Sequence, residues 1–218
     1  MESRDIRSYF KTVKKEPIMM KLDDKSWIIK GHLPDGLYAD NFEELWRLRP
    51  NSLAKIRIAG KLIDCPRWQQ TYMSNYWFSG IVHEAVDLPG LFKPYLDWAN
   101  SLGYGNYNLA LANFYENGLH YIGSHSDDES QLVKGAAIVS VSLGDFSKKI
   151  RATRQERTFR IRNKETKAIV KDIELGDGTF VIMGGEMQEH YLHEVPKVTG
   201  KKGESMGRRI NLTFRQTK

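Results

Sequence analysis

The run Arg209-Ile210-Asn211-Leu212-Thr213-Phe214-Arg215 decides how this chain folds. Ile210, Leu212 and Phe214 alternate with Arg209, Asn211, Thr213 and Arg215. That is the two-residue period of a β-strand with one apolar face and one polar face bearing two guanidiniums. Ile138 to Leu143, Thr158 to Arg162, Ile169 to Leu175 and Thr179 to Met183 alternate in the same way, with glycine-rich breaks between several of them. Two helical patterns come first. Asn41 to Leu48 sets Phe42, Leu45, Trp46 and Leu48 near helical spacing behind Asn41 as N-cap, and Leu88 to Leu102 reads as a second helix ending at Gly103. Helices followed by many short strands predict an α+β chain built on an antiparallel sandwich or barrel. With no repeat or internal linker, one domain over residues 23–218 is expected, behind a lysine-rich flexible tail over residues 1–22.

His125 and Asp127 form an H-x-D pair, and His193 follows 66 residues after the aspartate. In a strand, residues two apart share a face, so His125 and Asp127 can reach one ion. Two imidazoles and one carboxylate leave three positions open, the donor set of a non-haem ferrous site. Alone, H-x-D recurs by chance. A later strand offering two guanidiniums adds a second element, because arginine's planar fork bonds a carboxylate at two points. Zinc hydrolysis also uses three protein ligands, but it gives the two arginines no task. His120 and His190 lie near the set, and spacing alone leaves His190 and His193 equal.

The chain has 218 residues, enough for one sizeable domain, and a single cysteine, Cys65, which excludes an internal disulfide and reads as structural. No apolar run approaches the roughly 20 residues of a membrane span, and the charged start lacks a secretory pattern. A soluble intracellular monomer is expected. A net charge of +6 is compatible with nucleic acid as partner.

These motifs resemble the AlkB family of Fe(II)/2-oxoglutarate dioxygenases, in particular its eukaryotic DNA-repair branch. The similar stretches are Asn113 to Gly118, Ile122 to Glu129, Ile138 to Gly144, His190 to Pro196 and Arg209 to Arg215. Ala59-Gly60-Lys61, Pro66-Arg67 and Tyr76 to Gly80 add a substrate-side match. Together they run from about residue 50 to 218, in an order that chance does not produce. The resemblance implies a double-stranded β-helix (jelly-roll) core over roughly residues 107–218 with a nucleotide-recognition lid near 54–85. It selects His193, in H-x-x-P, as the third ligand of Fe(II). It implies that Arg209 and Arg215 hold the distal carboxylate of 2-oxoglutarate, with hydrogen bonds from Asn113, Tyr115 and Thr213. The activity implied is oxidative demethylation of 1-methyladenine and 3-methylcytosine in DNA, releasing formaldehyde and succinate. A related oxygenase acting on RNA or a protein side chain, and a catalytically idle nucleic-acid-binding module, are the alternatives.

A base-modifying enzyme holds its target outside the stack. Tyr76, Trp77, Phe78 and the Asp128 carboxylate are the pocket candidates, with Ala59, Gly60, Lys61 and Arg67 beside them. The family's duplex-DNA branch has a bulky aromatic where this chain has Ala59, so alkylated DNA, single-stranded or duplex, is the expected partner, with RNA as a further one, but without a strong duplex preference: either Ile58 takes that place, or single strands and mismatched sites are favoured. Lys148 to Lys171 carries ten basic and two acidic residues; with Lys197, Lys201, Lys202 and Arg208 it is expected to grip phosphates. Ile6-Arg7-Ser8-Tyr9-Phe10 resembles a sliding-clamp peptide anchored by Ile6, Tyr9 and Phe10, with Ser3 in place of the usual glutamine. Clamp binding would put the protein in a nucleus; a bacterial or viral source would make it cytoplasmic.

Overall fold

The computed structural model describes residues 16–37, 41–127, 130–145 and 156–218. The clamp-like segment, Asp128, and Lys148 to Arg154 lie outside them. The chain opens with a hairpin, β1 (Ile18–Lys21) and β2 (Ser26–His32), then α1 (Phe42–Arg47). Two further hairpins flank β5 (Trp68–Tyr72): β3 (Lys55–Ile58) with β4 (Lys61–Asp64), and β6 (Tyr76–Phe78) with β7 (Ile81–His83). After β8 (Ala85–Val86) and a single 3₁₀ turn, α2 (Lys93–Ser101) leads into β9 (Leu109–Tyr115), β10 (Ile122–His125) and β11 (Ile138–Gly144). Next come β12 (Arg157–Asn163), β13 (Ile169–Leu175), β14 (Thr179–Gly185), α3 (Met187–His190) and β15 (Tyr191–Val195). The short α4 (Gly200–Glu204) precedes β16 (Arg209–Arg215).

Eight strands form one sheet in the order β1-β2-β14-β11-β16-β9-β5-β8, and four form a second, β10-β15-β12-β13. The two sheets face each other as the expected double-stranded β-helix. Their apolar filling is Ile28, Phe159, Ile161, Ile173, Val181, Met183 and Tyr191. The outer face of the large sheet is covered by the helices. Phe42, Leu45 and Trp46 of α1, three and four apart, make one stripe that packs with Phe114, Ile210, Leu212 and Phe214. Glu43 and Glu44 in its first turn and Arg47 in its last suit the helix dipole. Asn41 makes no side-chain cap; its carbonyl accepts from Glu44 and Leu45 instead. The expected second helix is shorter than 88–102, because Gly90–Phe92 forms the 3₁₀ turn after Pro89.

The boundary expected for the tail is corrected. Ile18–Lys21 pairs with Trp27–Lys30, since Asp23 Oδ1 accepts from the backbone N–H of Lys25 and Ser26 and closes the turn. Within the 54–85 region, β5 runs antiparallel to β9 in the main sheet, while β3–β4 and β6–β7 form separate two-stranded hairpins. No helix among the described residues is long and apolar enough to cross a membrane.

Arg157, read from the sequence as a phosphate contact, is buried. Its guanidinium donates to the carbonyls of Asn117, His120 and Pro196 at 3.0, 2.8 and 3.0 Å. Burial, with Arg209 adding to it, pushes it down to about 10. Arg157→Ala is therefore expected to lower stability by about 2–4 kcal/mol, by stranding buried acceptors and opening space. A urea titration with an unchanged midpoint would return Arg157 to the surface.

Candidate active site

β16 builds the site because both its neighbours fix its register. Asn211 lies opposite Ser142 of β11 on one side and Asn113 of β9 on the other. All seven β16 residues are buried. Ile210, Leu212 and Phe214 face the helices, so Arg209, Asn211, Thr213 and Arg215 must face the space between the sheets. There they line a cavity of about 420 Å³. From the opposite sheet, the antiparallel pairing of β10 with β15 sets His125 across from His193.

The H-x-D pair and His193 meet as expected. Their candidate ligand atoms all lie within 4.8 Å of one another. His125 Nε2 and His193 Nε2 are each 3.9 Å from an Asp127 oxygen. His125 Nδ1 lies 2.9 Å from the Gly123 carbonyl, which takes a proton there and leaves Nε2 as the lone-pair nitrogen facing Asp127. The His193 ring stacks on Phe159 at 5.3 Å. Burial pushes both imidazoles down, His193 to about 3. Burial pushes the Asp127 carboxyl up, but Arg215 and the two histidines outweigh it and hold it at about 2. The donors are thus neutral imidazoles and an ionised carboxylate, the protonation states a metal requires.

A polar network links the rest. Arg67 Nε donates to Asn113 Oδ1 at 2.6 Å, Asn113 donates to Asn211 at 3.3 Å, and Thr213 Oγ1 donates to Asn211 at 3.1 Å. Arg209 Nε donates to Ser142 Oγ at 2.7 Å, and its guanidinium lies 4.9 Å from the Tyr115 ring centroid. Its Nη1 is buried with no hydrogen-bond partner among the described residues. A buried guanidinium nitrogen left open in a cavity fits an anionic ligand such as the distal carboxylate of 2-oxoglutarate.

The expectation that Arg209 and Arg215 share that carboxylate does not fit. They stand six positions apart on the strand, roughly 20 Å along the backbone. Arg215 instead bonds Asp127 Oδ2, through Nη2 at 2.8 Å and Nε at 3.2 Å.

On the substrate side, Tyr76 and Phe78 line the cavity, with Ile58, Ile63 and Arg67. Trp77 does not. It points to the other face of its hairpin beside Val82, 57% exposed. Ala59, Gly60 and Lys61 make the tip of the neighbouring hairpin, outside the cavity wall. Arg67 donates within the protein, to Asn113, Gln69 and the Tyr121 carbonyl. Among the expected phosphate contacts, Arg208 is engaged by Asp145 and Glu43. Arg160 pairs with Asp172, and Arg162 with Glu194. Lys201 and Lys202 remain exposed on α4.

Sequence reasoning missed Ser140 and Ser142 as partners of Asn211 and Arg209, although their alternation in Ile138 to Gly144 put both on one face. It also missed Gln188, which accepts from the Asp127 N–H at 2.9 Å; no sequence signal marks that contact.

His120 packs on Trp68, and His190 pairs with Glu186 on the surface. Removal of His193 or Asp127 by His193→Ala or Asp127→Ala is therefore expected to abolish binding of one equivalent of Co(II) or Fe(II). His190→Ala should leave that binding within about twofold, since an exposed pair contributes little. Titration calorimetry distinguishes them, and the reverse pattern would exchange the two histidines.

Comparison with known proteins agrees with this geometry. Residues 83–215 match the 2OG-Fe(II) oxygenase superfamily. The DNA oxidative demethylase ALKBH2 of Mus musculus is 30% identical over 76% of this chain and 67% of its own length. For that of Homo sapiens the figures are 29%, 76% and 62%, so the match spans about two thirds or less of these relatives. The alpha-ketoglutarate-dependent dioxygenase alkB homolog 3 of Rattus norvegicus is 37% identical over half of this chain and 35% of its own length. A solved structure of OsALKBH1 shares the fold, with a TM-score of 0.57 at 19% identity over 92% of this chain and 97% of that one. With its metal triad and its arginine-bearing strand, this chain belongs to the 2OG-Fe(II) oxygenase superfamily, in the AlkB family, whose members use Fe(II) and 2-oxoglutarate.

Proposed function

We propose that this chain demethylates N-alkylated bases in DNA, 1-methyladenine and 3-methylcytosine among them. The observation that carries the reading is one cavity holding both the His–Asp–His triad and an aromatic wall of Tyr76 and Phe78. The names of the ALKBH2 relatives support DNA as the substrate class. When bound, Fe(II) and 2-oxoglutarate would supply oxidation of the N-methyl group by dioxygen, with 2-oxoglutarate decarboxylated to succinate and carbon dioxide and the methyl carbon released as formaldehyde.

The chain's own residues do the rest. His125, Asp127 and His193 hold the metal. Arg209 takes the distal carboxylate of 2-oxoglutarate, beside Tyr115, while Asn113, Asn211 and Thr213 form the polar floor between it and the metal. Arg215 keeps Asp127 ionised and oriented. Phe78 offers a flat face to the flipped base, opposite His125. Exposed Lys61, Lys201 and Lys202 are left for phosphate contact, which carries no sequence readout.

Ala59 bears on the form of the DNA. A methyl group cannot fill the gap a flipped base leaves in a duplex, and the adjacent Ile58, 54% exposed, is the larger apolar group at that tip. Unstacking is least costly in single strands and at mismatches. Formaldehyde release from methylated single-stranded DNA, duplex DNA and RNA oligonucleotides, compared side by side, tests the reading. Single-stranded DNA should equal or exceed duplex, and Ala59→Phe should raise duplex activity selectively. Turnover confined to RNA, or none on any nucleic acid, would sink it.

The co-substrate assignment has its own test. Arg209→Lys keeps the charge but loses the fork, so the apparent KM for 2-oxoglutarate should rise roughly tenfold or more, as expected for a bidentate pair. An unchanged 2-oxoglutarate requirement would remove Arg209 from that role.

A further inference from the structure

His83 does not line the cavity, yet its imidazole stacks on Phe78 with ring centroids 3.9 Å apart and planes within 10°. The contact is closer and flatter than the usual 4.5–7 Å offset or tilted aromatic pair. Gln69 of β5 fixes the ring from behind. Its Oε1 accepts from the Arg67 guanidinium at 3.2 Å and from the Cys65 thiol at 3.3 Å. Arginine can only donate, so that oxygen must face Arg67. The Gln69 Nε2–H₂ group therefore faces His83 Nδ1, 3.3 Å away, and donates to it. An imidazole that accepts at Nδ1 is the neutral tautomer with its proton on Nε2. Burial independently pushes His83 down from its usual range.

We propose that His83 is a positioning residue that backs Phe78 and holds its ring flat as the stacking face for a cationic alkylated base. The inference rests on the function proposed above and adds the group that sets the aromatic wall. The hydrogen-bond chain Arg67–Gln69–His83 keeps the imidazole uncharged behind Phe78. A neutral backing ring leaves the phenyl face electron-rich, and such a face attracts positive charge. Arg67 also bonds Asn113, so one guanidinium braces both the polar floor and the wall.

The test uses the full chain loaded with Fe(II) and 2-oxoglutarate, on a single-stranded oligonucleotide carrying one 3-methylcytosine. His83→Leu removes the ring. The KM for the oligonucleotide should rise roughly three- to tenfold, the scale of one aromatic contact. The kcat, the 2-oxoglutarate requirement and the melting temperature should stay near wild type. His83→Phe, which restores a flat ring, should recover the KM to within about twofold. If His83→Leu fails to fold, His83→Asn keeps an acceptor for Gln69 without the ring and should show the same rise. An unchanged KM in a folded ringless variant would overturn the inference and leave the proposed function standing. So would a joint fall of kcat and melting temperature that His83→Phe does not repair. Wild-type protein without turnover on the oligonucleotide would overturn both.

Discussion

Two guanidiniums buried on one strand are the constraint on which this structure depends. β16 is covered by the helices on one face and lines the cavity with the other, and Arg209 and Arg215 are both buried there. An uncompensated buried charge costs several kcal/mol even after relaxation. Arg215 is met by the Asp127 carboxylate, and that pairing sets where the H-x-D segment sits against the sheet. Arg209 is met only in part, by Ser142 and the face of Tyr115, whose ring Arg157 also approaches at 5.5 Å. The unmet remainder is a buried guanidinium nitrogen with no hydrogen-bond partner among the described residues, held in place by the fold. Pre-organisation of this kind keeps the cost of ordering the site out of the binding step.

The space between the sheets is divided accordingly. One part is filled by Phe159, Ile161, Ile173 and Val181; the other holds the polar cavity. Phe159 serves both, as core and as the ring against His193. Dry packing beside the triad keeps its imidazoles neutral, while Arg215 keeps its carboxylate charged. Opposite protonation demands within one ligand set are thus met by burial for the histidines and by a single cation for the aspartate.

The strand phase of β11, β12, β13 and β16 was legible from alternation, because the apolar residues of each gather on one face, whereas β14 is apolar on both, Phe180 and Ile182 on one side and Val181 and Met183 on the other. The H-x-D pair was legible because residues two apart on a strand share a face, whereas spacing left His190 and His193 equal and the family motif chose His193. Failures came where charge or aromaticity outweighed phase. Arg157 was read as a solvent cation, although it shares phase with the buried Phe159 and Ile161. Arg208 lies in a basic loop, and only the fold brings Glu43 and Asp145 to it. β1 was lost in a lysine-rich start, yet Asp23-Asp24-Lys25 is a turn signal with apolar residues on both sides. Gln69 and His83 were beyond reach, since 14 residues and a hairpin separate them and no periodicity links the two.

Turn chemistry decides which aromatic forms the wall. The Ala59–Gly60 and Ser79–Gly80 turns both carry positive φ at both central residues, 47° and 79° in the first, 50° and 68° in the second. This is the signature of the two-residue I′ hairpin, whose twist matches that of the strands. It fixes Ile58 opposite Lys61 and Phe78 opposite Ile81. The residue just before each turn, Ile58 in one and Phe78 in the other, then faces the cavity, and a backbone bond from Arg57 to the Ser79 carbonyl at 3.1 Å ties the hairpins together. Left-handed conformations at Ala59 and Ser79 cost about 1–2 kcal/mol each, so the register is held against local preference. A slip of one residue would turn Phe78 outward and bring Trp77 in. The larger ring would then stand in the cavity wall, without His83 behind it. The strained turns therefore act on recognition: they choose the phase of the hairpin, and the phase chooses Phe78.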